Sequence, residues 1–79
     1  MVTVRYWAAA RAAAGRDEET LPACDLGELL TRIAERHDIS RVLSVCSLLV
    51  DGAPVHREDT GRGLASGAVV DVLPPFAGG

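Results

Sequence analysis

Residues 66–75, SGAVVDVLPP, decide the fold of this 79-residue chain. Ser66-Gly67 is typical of a turn, and the apolar run after it predicts a strand over Ala68–Leu73. Because apolar residues follow one another instead of alternating with polar ones, we expect this strand in the middle of a sheet, buried on both faces. Pro74 and Pro75 cannot donate hydrogen bonds to a neighbouring strand, so the strand ends before them.

The start of the chain predicts a second strong strand. Residues 2–7, VTVRYW, are β-branched or aromatic and alternate between two faces. Those faces are Val2, Val4 and Tyr6 on one side, and Thr3, Arg5 and Trp7 on the other. The alanine-rich segment after this strand favours a helical turn or a compact loop closed by Gly15.

The clearest helix begins at Asp25. Asp25 and Glu28 have the spacing of a capping box, and an apolar stripe follows at helical spacing. The stripe consists of Leu26, Leu29, Leu30 and Ile33. Arg36 and His37 suit the carboxyl end of the helix, and we expect His37 to be a surface residue. The acidic run at 17–19 predicts a solvated turn that leads into a short strand over Glu19–Pro22.

Two further strands are predicted after the helix. The first covers Ser44–Val50, and Asp51-Gly52 is a strong signal for a two-residue hairpin turn. Pro54 makes the returning strand short or places it at a sheet edge. Residues 56–63 are polar, and we expect their acids and His56 to form a solvated loop and no site.

The predicted order is therefore β-β-α-β-β-β. The first and last strands have the strongest β character, and the connection through the helix lets them pair in parallel. A single amphipathic helix must cover one face of the sheet. These features predict an α+β chain with the β-grasp (ubiquitin-like) fold, a mixed sheet with one main helix packed on one face. We expect one domain over residues 1–75 and a flexible tail over 76–79.

Composition excludes several classes of protein. The net charge is −3, which disfavours a nucleic-acid partner, and no apolar run is long enough to span a membrane. Cys24 and Cys46 are far apart and lack the spacing of a zinc site. We expect both thiols to be reduced and buried, no metal site, and a cytoplasmic protein. The N-terminal strand is interpreted as part of the mature chain.

The tail carries the chemistry. Pro74 and Pro75 favour an extended backbone that projects away from the sheet, and the chain then narrows through Phe76, Ala77, Gly78 and Gly79 to bare backbone. The α-carboxylate of Gly79 is the reactive group at that end. If another enzyme activates it with ATP as an acyl-adenylate, sulfide can displace AMP and leave a thiocarboxylate. The plain alternative is a loose end that does no chemistry.

Several segments resemble the ubiquitin-like sulfur carriers, in particular the small subunits of molybdopterin synthase. The similar segments are VRYWAAARAAAG (4–15), DLGELLTRIAERH (25–37), LVDGAPV (49–55) and LASGAVVDVLPPFAGG (64–79). The "PPxxGG" tail separates this branch from the shorter thiamine-pathway carriers. The chain departs from the pattern at Ala12 and Ala68, where family members often carry an acid. Both departures remove surface charge and leave the tail unchanged.

The resemblance implies a role in molybdenum cofactor synthesis. Gly79 would be adenylated by a ubiquitin-activating-like enzyme that uses ATP, converted to a thiocarboxylate, and inserted through the tail into the large catalytic subunit of molybdopterin synthase. The chain itself would bind no cofactor and have no activity alone. Gly78 and Gly79 would form the reactive end, where a side chain would block the adenylating site. The implied positions for tail insertion and docking are Trp7, Arg11, Pro54, Leu73, Pro74, Pro75, Phe76 and Ala77.

Two alternatives stay open. The sulfur could enter thiamine, cysteine or a secondary metabolite instead. The chain could also be a protein modifier whose C-terminus forms amide bonds with lysines of target proteins. All eight of its own cations are arginine, so it offers no side-chain amine for linking copies to one another.

Overall fold

A computed structural model describes residues 1–37 and 39–75. The described part of the chain contains five strands and three helices. They are β1 (Val2–Tyr6), α1 (Ala8–Ala14), β2 (Glu18–Leu21), α2 (Leu26–Arg36), α3 (Ser40–Leu43), β3 (Ser47–Val50), β4 (Ala53–Val55) and β5 (Val69–Leu73).

The strands form one mixed sheet in the order β2-β1-β5-β3-β4. β1 and β5 pair in parallel, with Val4 opposite Val70, and the other neighbours are antiparallel. β5 lies in the middle of the sheet between β1 and β3. The predicted parallel pair of first and last strands is therefore confirmed, and with it the β-grasp fold.

One face of the sheet carries the hydrophobic core. The inward side chains of β1, β5 and β3 join buried residues from all three helices in one cluster. The main contributors are Val2, Val4, Tyr6, Val70, Val72, Leu48 and Val50 from the sheet, and Ala10, Leu26, Leu29, Ile33 and Leu43 from the helices. The alternation of strand residues places the other set of side chains on the opposite face, which is called the open face below.

Helix α2 has the predicted cap and apolar stripe. The Asp25 side chain accepts a hydrogen bond from the Glu28 backbone N–H at 2.8 Å. Glu28 Oε1 accepts a hydrogen bond from the backbone N–H of Cys24 at 2.7 Å. In a standard capping box this hydrogen bond comes from the N-cap residue, here Asp25, so the Glu28 carboxylate reaches one residue further back. Leu26, Leu29 and Ile33 are fully buried. These contacts satisfy free N–H groups at the helix start.

The alanine-rich segment forms a complete short helix. α1 has seven residues and is capped at its carboxyl end by Gly15, whose φ of 75° is left-handed. This confirms the predicted helical turn closed by glycine. Ala8 also has a positive φ, 51°, which is costly for a residue with a side chain. The chain therefore turns sharply between β1 and α1, and Trp7 serves as the extended N-cap instead of the last residue of β1.

The start of the third strand was predicted too early. β3 begins at Ser47, because α3 ends at Leu43 and residues 44–46, which the prediction included in the strand, form the turn that connects the two elements. The Arg57 guanidinium donates hydrogen bonds to the backbone oxygens of Leu43 and Cys46. Those two carbonyls at the end of α3 are satisfied by a side chain far along the sequence, which a local pattern does not reveal.

The predicted hairpin is confirmed. Asp51 and Gly52 have φ values of 49° and 85°, as a two-residue turn with two left-handed positions requires. Asp51 Oδ1 also accepts a hydrogen bond from the Val69 N–H at 2.9 Å, which ties the turn to β5. β4, with Pro54 in its centre, has three residues and lies at the sheet edge as predicted.

The predicted short strand after the acidic run is present, and Asp17 and Glu18 are exposed, but the predictions for Glu19 and for Cys24 were wrong. Glu18 and Glu19 belong to β2, and Glu19 is buried on the core side instead of solvated. Cys24 is exposed, whereas Cys46 is buried, and both are free thiols. Burial raises the pKa of the Cys46 thiol, and the nearby Arg57 charge opposes that rise. Cys46 is therefore a structural core residue.

Candidate functional site

The central strand leads directly to the tail. Beyond Leu73 the chain continues through Pro74 and Pro75, which are both exposed. Phe76, Ala77, Gly78 and Gly79 lie outside the described residues, and the predictions for them stay predictions. The structure thus defines the root of the tail and the surface around it.

One row of side chains crosses the whole open face. The strand registers place Arg5 opposite Glu18 and Asp71, and Leu49 opposite Asp71 and Pro54. The row is charged on β2, β1 and β5 and apolar on β3 and β4. The predicted docking residue Pro54 lies at the apolar end of this row, exposed on the edge strand.

Trp7 lies at the tail end of the open face. Trp7 is 45% exposed and is the largest exposed aromatic residue among the described residues. Its backbone N–H donates to the carbonyl of Val72 at 3.1 Å, which places Trp7 beside Leu73. The predicted position of Trp7, on the face opposite Val2 and Tyr6, is confirmed. Its docking role stays a prediction.

A buried carboxylate holds the Trp7 side chain. Trp7 Nε1 donates to Asp71 Oδ1 at 2.9 Å, and Arg5 Nε donates to the same oxygen at 2.8 Å. Burial acts to raise the pKa of Asp71, but the hydrogen bonds from Arg5 and Trp7 outweigh it and hold that pKa below its ordinary value. The same carboxylate raises the pKa of the Arg5 guanidinium. Both groups are therefore ionised near neutral pH.

Sequence reasoning missed Asp71. It is a lone acid in the apolar run VVDVL, and the run was interpreted only as a buried strand. The sequence did contain a signal for it. Because the first and last strands were expected to pair in parallel, Arg5 of the first strand could lie opposite this acid. A buried acid without such a partner would be costly.

An apolar groove opens at the root of the tail. It has a volume of about 440 Å³. Its walls include Pro75, Pro54 and Val45, and Val45 is 60% exposed. His56 and Glu58 line the rim and are exposed, as predicted for this loop. The structure therefore brings Pro54 and Pro75 together at one groove.

Arg11 lies on the other side. It is exposed on α1, and its guanidinium is 3.5 Å from the carboxylate of Asp17, which is also exposed. With Arg5, Trp7 and Glu18 it lines a smaller cavity of about 240 Å³. Arg11 is therefore a neighbour of Trp7 but not of Pro54 and Pro75, so the predicted docking residues form two groups on either side of the β5 end.

A second buried carboxylate lies on the core side, at the end of α2. Glu19 accepts hydrogen bonds from Tyr6 Oη and His37 Nε2, each at 2.5 Å on Oε2, and from Arg36 Nε at 2.7 Å on Oε1. Burial acts to raise the pKa of Glu19, but these hydrogen bonds hold it below its ordinary value. Burial and the hydrogen bond to Glu19 raise the pKa of Tyr6.

The cluster around Glu19 corrects the prediction for His37. The ring is mostly buried and contacts Tyr6 edge-to-face, with 5.8 Å between ring centroids. Because an ionised carboxylate only accepts hydrogen bonds, His37 Nε2 must carry the hydrogen. Glu19 thus ties β2 to β1 and to the end of α2, and its hydrogen bonds go to structural partners.

Two kinds of site are absent from the described residues. Within residues 1–37 and 39–75, no three His, Cys, Asp or Glu side chains are grouped so that they could hold a metal ion. In the same part of the chain, no helix has the length and apolar character needed to cross a bilayer.

A protein family and several solved structures match this chain over almost its whole length. The ThiS family matches residues 4–79. A putative molybdopterin converting factor subunit 1 from Pyrococcus furiosus is 30% identical, with a TM-score of 0.78, and the match covers 95% of this chain and 97% of that one. No curated protein matches the chain.

Two further solved structures have the same fold. One is a complex of subunits 1 and 2 of the molybdopterin-converting factor from Helicobacter pylori, with 26% identity, a TM-score of 0.76 and coverage of 99% of this chain and 97% of that one. The other is small archaeal modifier protein 1 from Methanosarcina acetivorans, with 20% identity, a TM-score of 0.83 and coverage of 99% and 95%.

Proposed function

We propose that this chain, which belongs to the ThiS family, carries sulfur as a thiocarboxylate on Gly79 for molybdopterin synthesis. The family membership and the molybdopterin-converting-factor neighbours support a ubiquitin-like sulfur carrier as the general class. The particular pathway and the chemistry at Gly79 are the proposal.

The chemical steps require a second enzyme. The Gly79 carboxylate attacks the α-phosphorus of ATP, and pyrophosphate leaves, which gives an acyl-adenylate. Sulfide then attacks the carbonyl carbon, and AMP leaves with the C–O–P oxygen. The product is a thiocarboxylate whose sulfur can be passed to an acceptor. We propose a ubiquitin-activating-like enzyme for the first step, and no cofactor bound to the carrier itself.

One observation carries the proposal. The family match extends over residues 4–79 and so includes the Gly78-Gly79 pair as well as the folded domain. The fold supports it, since the central strand β5 passes into the exposed Pro74 and Pro75. Two consecutive prolines favour an extended, stiff backbone at the point where the tail begins.

The surface around the tail supports docking onto a partner protein. The Helicobacter pylori structure is a complex of two subunits, and we propose that this chain likewise docks onto a large catalytic subunit. Trp7 and Leu73 on one side of the tail root, and Pro54 on the other, form the proposed contact surface. Exposed aromatic side chains of this kind are frequent anchors at interfaces. The proposal also places the protein in the cytoplasm, where ATP is available.

Complementation tests the pathway. Cells that lack their own molybdopterin synthase small subunit are supplied with this chain or with a variant that has one alanine added after Gly79. We expect the unmodified chain to restore molybdoenzyme activity and the extended variant to restore none, because the extension removes the Gly79 carboxylate.

The other outcomes distinguish the alternatives. If both chains restored activity, the tail would not be the working part and the proposal would fall. If neither did while the tail still acquired sulfur in its own cells, the sulfur would serve another pathway, such as thiamine or cysteine synthesis. Adducts on lysines of other proteins, without sulfur on the tail, would favour a protein modifier.

A further inference from the structure

Asp71 is a buried charge in the middle of an otherwise apolar strand. Its side chain is 8% exposed, although it points to the open face, because Arg5 and Trp7 cover it. It accepts three hydrogen bonds, from Arg5 Nε at 2.8 Å, Arg5 NH2 at 3.3 Å and Trp7 Nε1 at 2.9 Å. A well-packed apolar residue often serves stability as well as a buried ion pair does. The carboxylate is therefore better explained by what it holds in place.

The side chain that it holds is the exposed indole of Trp7. The ring is fixed at Nε1 by Asp71, and the Arg5 guanidinium lies 5.7 Å from the ring centroid. The backbone restrains the same residue, since Trp7 is extended and the next residue, Ala8, is left-handed at φ 51°. Strain of this kind persists only where the surroundings over-determine the conformation. Trp7 is thus fixed from both its backbone and its ring.

We propose that Asp71 is a positioning residue for docking, which holds the Trp7 indole in its binding orientation before a partner arrives. This inference rests on the proposed function. The partner is the proposed ubiquitin-activating-like enzyme, which offers an apolar pocket to the indole and takes the tail into a narrow channel. Asp71 lies on β5, three residues before Pro74, so a single strand fixes both the anchor and the root of the tail.

The expected size of the effect follows from side-chain ordering. A partner that must immobilise a free side chain on binding loses the corresponding entropy. If the partner must immobilise one free aromatic side chain, the entropy lost lowers its affinity for the carrier roughly 3- to 10-fold. The rate of the chemical steps at Gly79 should not change, because Asp71 lies on β5 and acts through its hydrogen bonds to Arg5 and Trp7.

The first test is spectroscopic and needs no partner. Trp7 is the chain's one tryptophan, so time-resolved fluorescence anisotropy reports its motion alone. We expect the fast local component to grow strongly in Asp71→Leu, which loses the acceptor. It should grow little in Asp71→Asn, which keeps an acceptor oxygen for Nε1. Glu35→Gln removes the same charge from an exposed position on α2 and should match the unmodified protein.

The second test separates docking from chemistry. The purified chain is added over a range of concentrations to an extract of its own cells with ATP and sulfide, and conversion of Gly79 to the thiocarboxylate is followed by mass spectrometry. For Asp71→Leu the half-saturating concentration should rise roughly 3- to 10-fold, with the same maximal rate. Asp71→Asn should lie between, and Glu35→Gln should be unchanged.

The results that overturn the inference are distinct from those that overturn the proposed function. An indole equally rigid in Asp71→Leu, or an unchanged half-saturating concentration with normal folding, refutes the positioning role. If Asp71→Leu does not fold, Arg5→Met replaces it, since it removes the guanidinium that fixes the carboxylate, and the same two readouts apply. If the unmodified chain acquires no sulfur at all, the proposed function fails, and the docking role fails with it, whatever the fluorescence shows.

Discussion

Replacement of Glu19 by alanine should destabilise the fold far more than replacement of its neighbour Glu18. Glu19 is buried and accepts hydrogen bonds from Tyr6, His37 and Arg36 at 2.5–2.7 Å. Removing one partner of a buried ionic cluster typically costs about 3–5 kcal/mol, because the remaining polar groups stay buried without an acceptor. Arg36 is half exposed and can turn to water, so we expect a loss of about 3 kcal/mol, at the lower end of this range.

This loss would be a large share of the total stability. A domain of 79 residues has a free energy of unfolding of roughly 4–12 kcal/mol at the usual value per residue. Each kcal/mol shifts the melting temperature of so small a domain by about 4–8 °C. Glu19→Ala should therefore melt roughly 12–24 °C below the unmodified protein, and Glu19→Gln, which can still accept from Tyr6, should lose less.

Urea and thermal unfolding of the three variants provide the assay. Glu18→Ala is the matched control, since it lies next in β2 but is exposed and faces the other side of the sheet, and it should change stability by less than about 0.5 kcal/mol. Equal losses in Glu18→Ala and Glu19→Ala would refute the structural role assigned to the buried carboxylate.

Two further predictions concern acid stability and helix packing. Folding lowers the pKa values of both Glu19 and Asp71. The two ionised carboxylates therefore contribute their full stabilisation at pH values above their ordinary pKa values of 4.5 and 3.8. This stabilisation is lost as the pH falls through the lower pKa values of the folded state. Acid titration followed by circular dichroism should show a flatter loss of stability in Glu19→Gln than in the unmodified protein, and an equally steep loss would contradict the assignment. Gly27→Ala would normally favour a helix, but its Cβ would lie 2.9 Å from Thr60 Cβ and 3.1 Å from Thr60 O. We expect a loss of about 1–3 kcal/mol in urea unfolding, against little change for Gly61→Ala, where the space is open. A gain in stability for Gly27→Ala would show that Thr60 does not pack closely against Gly27.

The main elements could be predicted from the sequence because their signals are local. β1 alternates, β5 is a continuous apolar run, and α2 has a cap at Asp25 followed by an apolar stripe. The Asp51-Gly52 hairpin likewise depends on two adjacent residues. Pairing of the first and last strands followed from the order of these elements, without any knowledge of individual contacts.

The features that were missed depend on distant partners. Asp71 is buried because Arg5, 66 residues earlier, lies opposite it in a parallel register. Glu19 is buried because the end of α2 brings Arg36 and His37 to it, 17 and 18 residues along the chain. The local sequence around an acidic residue does not show whether its carboxylate is buried or solvated, because that depends on where these distant partners lie in the fold.

The positions of some of the proposed docking residues could be predicted, while their docking role stays a prediction. Alternation correctly placed Trp7 on the open face, and the edge position of Pro54 followed from its lack of a donor. The division of the predicted residues into two groups around the end of β5 could not be predicted, because it depends on where α1 places Arg11 relative to the sheet. The groove beside Pro75 depends on the loop after β4 and had no signal in the sequence.

The intact mass of the protein, isolated from its own cells without acid treatment, directly tests whether Gly79 carries sulfur. The account predicts a fraction with a mass increase equal to the replacement of one oxygen by sulfur, located by fragmentation on Gly79 of the C-terminal peptide. This fraction should disappear in a variant extended beyond Gly79. A protein that keeps an unmodified Gly79 under growth conditions that demand molybdenum cofactor would contradict the account.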